Sequence, residues 1–458
     1  MVLDDTKRPS VVERFYTSDV YLLLCVLVSA LGVVFNYELI SAGAMILLLS
    51  GQFIAVRDTG RMFYPISFLA VTLMNLDGDA IGSGAWLAIG LVPIFGSMIY
   101  NVIRYRKRFH YNGIFTPMFA VSVAITLGGA FSISREEYFD IGNLYYVLFL
   151  GFAMLLLCQF LYILWDGEHT EKLKGEFIRA MCHSGIFLGA VMVMYYALNL
   201  TEFTRTQQIV EVLAHNPFRN VAVSYYILTM PFVFYCAREK MAYMLGGVLV
   251  YVACLISGSR MGLLFGSVQF FVCMIYFILA ARKRKWIYAG VLAALVAGVL
   301  IMKDEILYFY LGRTEFGDGF ISMGESRIEM MKRSLFDFTD APIFGQGLGY
   351  TGNEDCYAPR LFEMHWYHNF ICQIAGSLGI VGILAYMYQF YYRLELLLKR
   401  TNYFGWLVCL MYVGVLMIGI VDTGIFTPFP TVLLLNCAFM IAAKDKREKE
   451  TESVLRPA

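Results

Sequence analysis

The sequence predicts an all-α polytopic membrane protein of about 12–14 transmembrane helices, with one large extracytoplasmic loop. Composition, the recurrence of apolar runs and the distribution of lysine and arginine carry that prediction. Hydrophobic residues make up 59% of the 458-residue chain and charged residues 16%, with a mean hydropathy of +0.63. Soluble domains carry about a quarter charged residues, so this chain needs a lipid solvent.

Apolar runs fall at residues 20–35, 39–56, 62–75, 84–103, 113–131, 142–165, 181–199, 220–236, 241–257, 261–281, 286–302, 367–392, 403–421 and 425–443. A helix that spans a bilayer needs roughly 20 residues. The runs at 20, 62 and 241 are short, which sets the lower bound of the count.

Orientation follows from charge, because cytoplasmic loops retain lysine and arginine. With the N-terminus inside and the spans alternating, most of the basic residues fall inside, including Arg104 to Arg108, Arg282 to Lys285 and the group from Lys444 to Lys449. Both termini are then cytoplasmic. The hydrophilic stretch from Lys303 to Trp366 faces outward, as do the smaller turns at 201–220 and around Glu136. The N-terminal stretch MVLDDTKRPSVVERF leads into a full-length apolar run without a small-residue cleavage site, and no cleaved signal peptide is expected.

The net charge of +1 and the lack of a basic, aromatic-interleaved groove argue against nucleic acid as a partner. Nine of the ten cysteines fall in or beside apolar runs, and Cys356 stands in the long loop without a partner there. No His/Cys cluster has zinc spacing, so no metal site is expected. The chain reads as a single integral membrane domain over 1–458, without internal repeats.

Inside the loop, Ser326-Arg327-Ile328-Glu329 has the form of a helix capping box. Ile328, Met331, Leu335 and Phe338 then recur at helical spacing, which predicts an amphipathic helix over about 327–338. Arg327 would open that helix, where a bound anion would offset its opposition to the helix dipole. Lys332 and Arg333 extend the basic surface, or form a solvated face. Arg260, in Ser257-Gly258-Ser259-Arg260, breaks an apolar tract at an outer turn; it either snorkels to headgroups or grips a phosphate bidentately. The triplet Tyr367-His368-Asn369 closes the loop. A histidine at an interface is commonly structural, yet His368 is the side chain here suited to take a proton from a sugar hydroxyl near neutral pH. Asn369 would hold its tautomer or a substrate hydroxyl. The GLGY at Gly347 to Tyr350 lacks the Lys-Ser/Thr of a phosphate loop.

Three blocks in order, SGSRMGLLFG, ESRIEMMKRSLFDFTDAPIFGQGLGY and YHNFICQIAGSLGIVGILAY, resemble the O-antigen ligase and O-antigen polymerase superfamily. The resemblance covers about 256–393. It implies a GT-C-like helical bundle, and a metal-independent, inverting transfer of a glycan from an undecaprenyl diphosphate carrier to an acceptor hydroxyl. Arg260, Arg327 and His368 fall on the family's functional positions, with Asn369, Arg333 and Tyr367 as substrate-binding candidates. Where the family pattern has a tryptophan and a histidine, this chain has Met331 and Ala341.

The expected activity is polymerisation of a surface polysaccharide, capsule or O-antigen, at the outer face of a bacterial cytoplasmic membrane, without a cofactor. The implied partners are the lipid-linked oligosaccharide donor, a glycan acceptor, the bilayer, and a flippase and chain-length regulator. A ligase that delivers finished glycan to lipid A core, wall polymer or protein would use the same donor and residues. A lipid-linked oligosaccharide flippase would instead carry ionisable groups along several spans, for which Asp422 is the main acidic candidate. A non-enzymatic scaffold would tolerate changes at all three positions.

Overall fold

The computed structural model describes residues 10–35, 37–74, 80–133, 144–199, 219–280, 285–301, 303, 319–348, 367–399, 402–422, 424–426 and 429–455. The turn around Glu136, most of the turn at 201–220, and residues 304–318 and 349–366 of the long loop, Cys356 among them, lie outside the described residues. All regular structure among the described residues is helical. In chain order the helices are α1 Val11–Tyr16, α2 Asp19–Phe35, α3 Glu38–Ala55, α4 Phe63–Leu73, α5 Ala80–Arg104, α6 Phe115–Ile133, α7 Leu144–Leu150, α8 Phe152–Leu164, α9 Thr170–Asn199, α10 Arg219–Cys236, α11 Ala242–Ile256, α12 Ser267–Ala280, α13 Lys285–Ile301, α14 Gly319–Asp340, α15 Phe370–Leu398, α16 Tyr403–Val421 and α17 Phe429–Leu455.

Each of the fourteen apolar runs holds helix, the run at 142–165 being split into α7 and α8 at Gly151. Among the described residues, six helical stretches are long and apolar enough to cross a membrane: Glu38–Ala55, Val147–Leu164, Thr170–Ala197, Gly262–Leu279, Phe370–Leu398 and Tyr403–Val421. Six shorter apolar helices accompany them among the described residues. The molecule is a polytopic, all-helical membrane protein. Its outer faces keep residues such as Leu47, Leu245, Leu279 and Leu384 exposed, as a surface against lipid tails requires.

The main core gathers α4, α9, α10, α11 and α16 around fully buried aromatics, among them Phe63, Phe68, Phe177, Tyr225 and Tyr226. Phe63, Phe177 and Phe232 meet edge to face, the arrangement that aromatic quadrupoles favour. A second core is built from Val121, Ile125, Val147, Leu348, Ile374, Leu378 and Phe426. It joins α6, α7 and α15 to Leu348, in the segment that follows α14.

That second core surrounds a break in α15. Gly379 sits at φ +60, ψ −156 inside the helix. A continuous helix would bond the Ile380 and Val381 amides to the Gly376 and Ser377 carbonyls. Instead Ile380 N–H donates to Pro342 O at 2.8 Å, and Val381 N–H to Ile343 O at 3.2 Å. The released carbonyls of Gly376 and Ser377 accept from Gln346 and Gly347 N–H, both at 2.8 Å. The segment 342–347 thus packs beside α15 and replaces its two missing backbone bonds, the condition under which irregular backbone is tolerated within a membrane. A Cβ on Gly379 would stand 2.5 Å from Ile343 O, and one on Gly345, φ +68, would stand 2.2 Å from the Ser377 carbonyl carbon. Glycine is required at both places.

The stretch 327–338, expected to form an amphipathic helix, lies within α14, which runs over Gly319–Asp340. The capping-box serine lies inside it, because the preceding residues hold no proline and the helix propagates through them. Arg327 therefore stands in the third turn and not at the N-terminus, so the free N–H groups invoked for an anion there are elsewhere.

Candidate functional site at the head of α15

The site begins with the entry into α15. Asn369 is its N-cap: the side-chain oxygen accepts from Ile371 N–H at 2.9 Å and Cys372 N–H at 3.1 Å. The amide nitrogen of the same side chain donates to Ile420 O at 2.8 Å, in the last turn of α16. One buried asparagine thus caps two helices at once, satisfying amides of α15 and a carbonyl of α16 that their own helices leave unpaired. Asn369 thereby ties the start of α15 to the end of α16, directly beside His368.

His368 is held immediately before that cap with φ +49, in the left-handed region that a histidine rarely enters. Its Nδ1 lies 3.4 Å from Asp422 Oδ1, the residue that ends α16. The imidazole is 38% and the carboxylate 23% exposed, so both edge onto the surface. An acceptor at Nδ1 directs the proton there and leaves Nε2 as the basic nitrogen.

Tyr367 faces the other way and is fully buried. Its N–H donates to Gln373 Oε1 at 3.0 Å, and its hydroxyl donates to Asp337 Oδ2 at 2.6 Å. Arg333 Nε meets Asp337 Oδ1 at 3.0 Å, one helical turn earlier on α14, and its guanidinium covers the Phe336 ring. Burial pushes the Asp337 carboxyl above its ordinary value, against the Tyr367 hydroxyl and Arg333, which pull it down. The chain Arg333–Asp337–Tyr367–Gln373 locks the loop helix onto the head of α15. Gln346 adds a bond to Asp340 Oδ2 at 2.7 Å.

Arg260 closes the turn between α11 and α12 and is exposed. Its block is folded by glycine. Gly258 takes φ +68, and Cβ atoms on Gly262 and Gly266 would stand 2.7 Å from Cys254 O and 2.4 Å from Cys254 Sγ. A π-helical turn over Gly262–Gly266 follows the arginine, a feature frequent at functional sites. Ser259 Oγ donates to Asn220 Oδ1 at 2.9 Å, fastening the turn to the start of α10.

Arg260 and His368 lie at the same end of the bundle. Gln269 of α12 donates to Leu410 O of α16. Arg260 is nine residues before Gln269 and Asp422 twelve after Leu410, about 13 and 18 Å along antiparallel helices in the same direction. Position 327 is two turns ahead of Ser334, a fully buried residue of α14; the side chain of Arg327 lies outside the described residues. His368, Asn369, Tyr367 and Arg333 are thus brought together by direct bonds or adjacency, with Arg260 on the same rim.

Sequence reasoning did not assign Asp337, Gln373 or the pairing of Asp422. The four-residue spacing of Arg333 and Asp337 was a visible signal; the other two pairings depend on the fold. Among the described residues no group of three or more His, Cys, Asp or Glu side chains could hold a metal ion. Residues 245–387 match the family model described as O-antigen ligase. That interval runs from α11 through the loop helix to the middle of α15 and contains Arg260, Arg327 and His368. No curated protein matches the chain, and no solved structure does.

Proposed function

We propose, from the premise that the match over residues 245–387 gives this membrane protein a place in the O-antigen ligase and polymerase superfamily, that it transfers a glycan from undecaprenyl diphosphate to an acceptor hydroxyl. The observation that carries the chemistry is His368, held before the cap of α15 with its Nδ1 on Asp422. His368 Nε2 takes the proton of the acceptor hydroxyl while that oxygen bonds to the anomeric carbon. The bond from that carbon to the diphosphate breaks, and the diphosphate leaves with the electron pair. Attack from the face opposite the leaving group inverts the anomeric centre.

Arg260 and Arg327 grip the diphosphate and stabilise the charge that grows on it. Fixed arginines supply the positive charge there, so the transfer proceeds without a metal. Asp422 acts as a positioning residue that holds the tautomer of His368, and its place at a helix end beside a histidine accounts for it without an ion path. Basic residues cluster at the other end of the bundle, which supports cytoplasmic termini in a bacterial inner membrane and an outward-facing site.

We read the product as a growing surface polysaccharide, with a flippase and a chain-length regulator as its neighbours in the membrane. The ligase reading has one observation in its favour, the description of the matched family model. Transfer in proteoliposomes loaded with a defined undecaprenyl-diphosphate oligosaccharide tests both. A ladder of lengthened chains supports polymerase, and a single addition to a second acceptor supports ligase. His368→Ala protein that folds and turns over at the wild-type rate would overturn the catalytic assignment, as would loss of activity to EDTA for the metal-free mechanism.

A further inference from the structure

A cavity of about 370 Å³ opens at the opposite end of the bundle from His368, between the turn after α5, the turn after α8 and the distal half of α17. Asn402, which caps α16, bonds to Asp445 beside this cavity, while Asp422 ends the same helix at the other side. The 19 residues of α16 separate the two sites by about 28 Å.

The wall is rich in donors. Arg108, Lys444 and Arg447 line it with His110 and His169. Its two carboxylates are already engaged: Asp166 accepts from Arg108 N–H at 2.8 Å and faces His110 Nε2 at 3.3 Å, and Glu448 holds Lys444 at 2.7 Å. The Tyr162 hydroxyl accepts from Asn112 Nδ2 at 2.9 Å, which leaves its own hydrogen to donate.

Trp165 supplies an independent observation. It lines the cavity, is 0% exposed, and its indole N–H has no acceptor among the described residues. Buried indole N–H groups normally find partners, and an orphan costs about 1–3 kcal/mol. An acceptor-only ligand seated deep enough in the cavity to part the side chains that cover the indole would satisfy it, beside the Tyr162 hydroxyl and the basic side chains of the wall.

We propose that this cavity binds a phosphate group, presented by an anionic phospholipid headgroup or by a soluble phosphate compound. A phosphate offers only acceptors and negative charge, which is the complement of this wall, and basic pockets between helices at a membrane face are suited to it. Phe109 and Tyr111 are exposed on either side of His110, as aromatics at a headgroup level are.

The full-length protein in detergent, titrated with phosphatidylglycerol, phosphatidylcholine or inorganic phosphate and read by native mass spectrometry and melting temperature, tests the proposal. Wild type should bind phosphatidylglycerol in preference to phosphatidylcholine and melt higher with it. Arg108→Gln combined with Arg447→Gln should weaken that binding about tenfold or more, equivalent to about 1.4 kcal/mol. Trp165→Phe, which keeps the ring and removes the donor, should weaken it severalfold. An equal rise in melting temperature with inorganic phosphate, lost in the same variants, would identify a soluble phosphate as the source. Variants that elute and melt like wild type in phosphatidylcholine yet bind both anions as tightly as wild type would overturn the proposal. So would a wild type indifferent to both anions.

Discussion

At the scale of single residues the head of α15 shows how one polar side chain sets the position of another. Asn369 joins two helix ends by three hydrogen bonds, and His368 is placed by where that cap begins. Replacing an N-cap asparagine by alanine costs about 1 kcal/mol, and here the bond to Ile420 O goes with it. Asn369→Ala should lower stability by about 1–2 kcal/mol and reduce transfer in the same sample, read as a drop in melting temperature alongside turnover. Asn369→Asp keeps the cap of α15 but sets two acceptors face to face at Ile420, so it should rescue only part of the loss. His368→Ala should lower kcat by about 10²–10⁴-fold, the range of a lost general base. Asp422→Asn should lower it less while moving the pH profile, because it alters how the imidazole is held and not whether a base is present. Of these residues, His368 and Asn369 were legible as a polar pair at the lip of an apolar run. Asp422 was noticed only as an isolated acid near a helix end, since nothing in a sequence reports a partner 54 residues away.

At the scale of elements, apolar periodicity and length predicted where helices lie, and each expected run holds one. They failed where a local signal competed with propagation. The Ser326 to Glu329 box reads as a start, yet α14 extends through it because a helix already nucleated adds residues readily. The break in α15 was illegible for a different reason: GSLG sits in an apolar run like any other, and only the loop segment that supplies the missing bonds makes the break affordable. Gly345 and Gly347 therefore serve this docking, in place of a phosphate-cradling role. Gly379→Ala combines a left-handed φ with a Cβ 2.5 Å from a backbone oxygen, and should abolish the monodisperse folded peak in size-exclusion chromatography. Tyr367→Phe should destabilise by about 1–3 kcal/mol by leaving a buried carboxylate oxygen of Asp337 short of a donor. In Tyr367→Phe combined with Asp337→Asn the effect should be smaller than the sum of the two single changes.

At the scale of the whole molecule, the two ends of the bundle differ in kind. The His368 end is assembled from a loop helix and helix lips, while the opposite end is bound by buried polar ties such as Lys174 to Asp445 at 2.7 Å. Glu168 is one of these: between α8 and α9 it accepts from Thr59 N–H, from Thr59 Oγ1 at 3.0 Å and from Gly60 N–H at 3.1 Å. Burial nevertheless pushes its carboxyl up to about 7. The folded chain then holds more protons at this group than the unfolded chain between the ordinary glutamate range and about pH 7. Its contribution to stability is therefore greatest at low pH and falls as the pH rises through that window, by on the order of a few kcal/mol. The melting temperature of the wild type should fall between pH 5 and pH 8 relative to Glu168→Gln, whose profile should be flatter over the same range.

The docking of residues 342–347 into α15 also gives the protein a built-in reporter. The amides of Ile380 and Val381 are bonded to Pro342 and Ile343 and not to their own helix, so their deuterium uptake measures whether the loop is seated. If the loop helix lifts when donor or acceptor enters, a peptide covering Gly376 to Gly382 would exchange faster while the rest of α15 stays protected. A membrane helix that ordinarily hides its amides would then register, at two positions, each opening of the site above it.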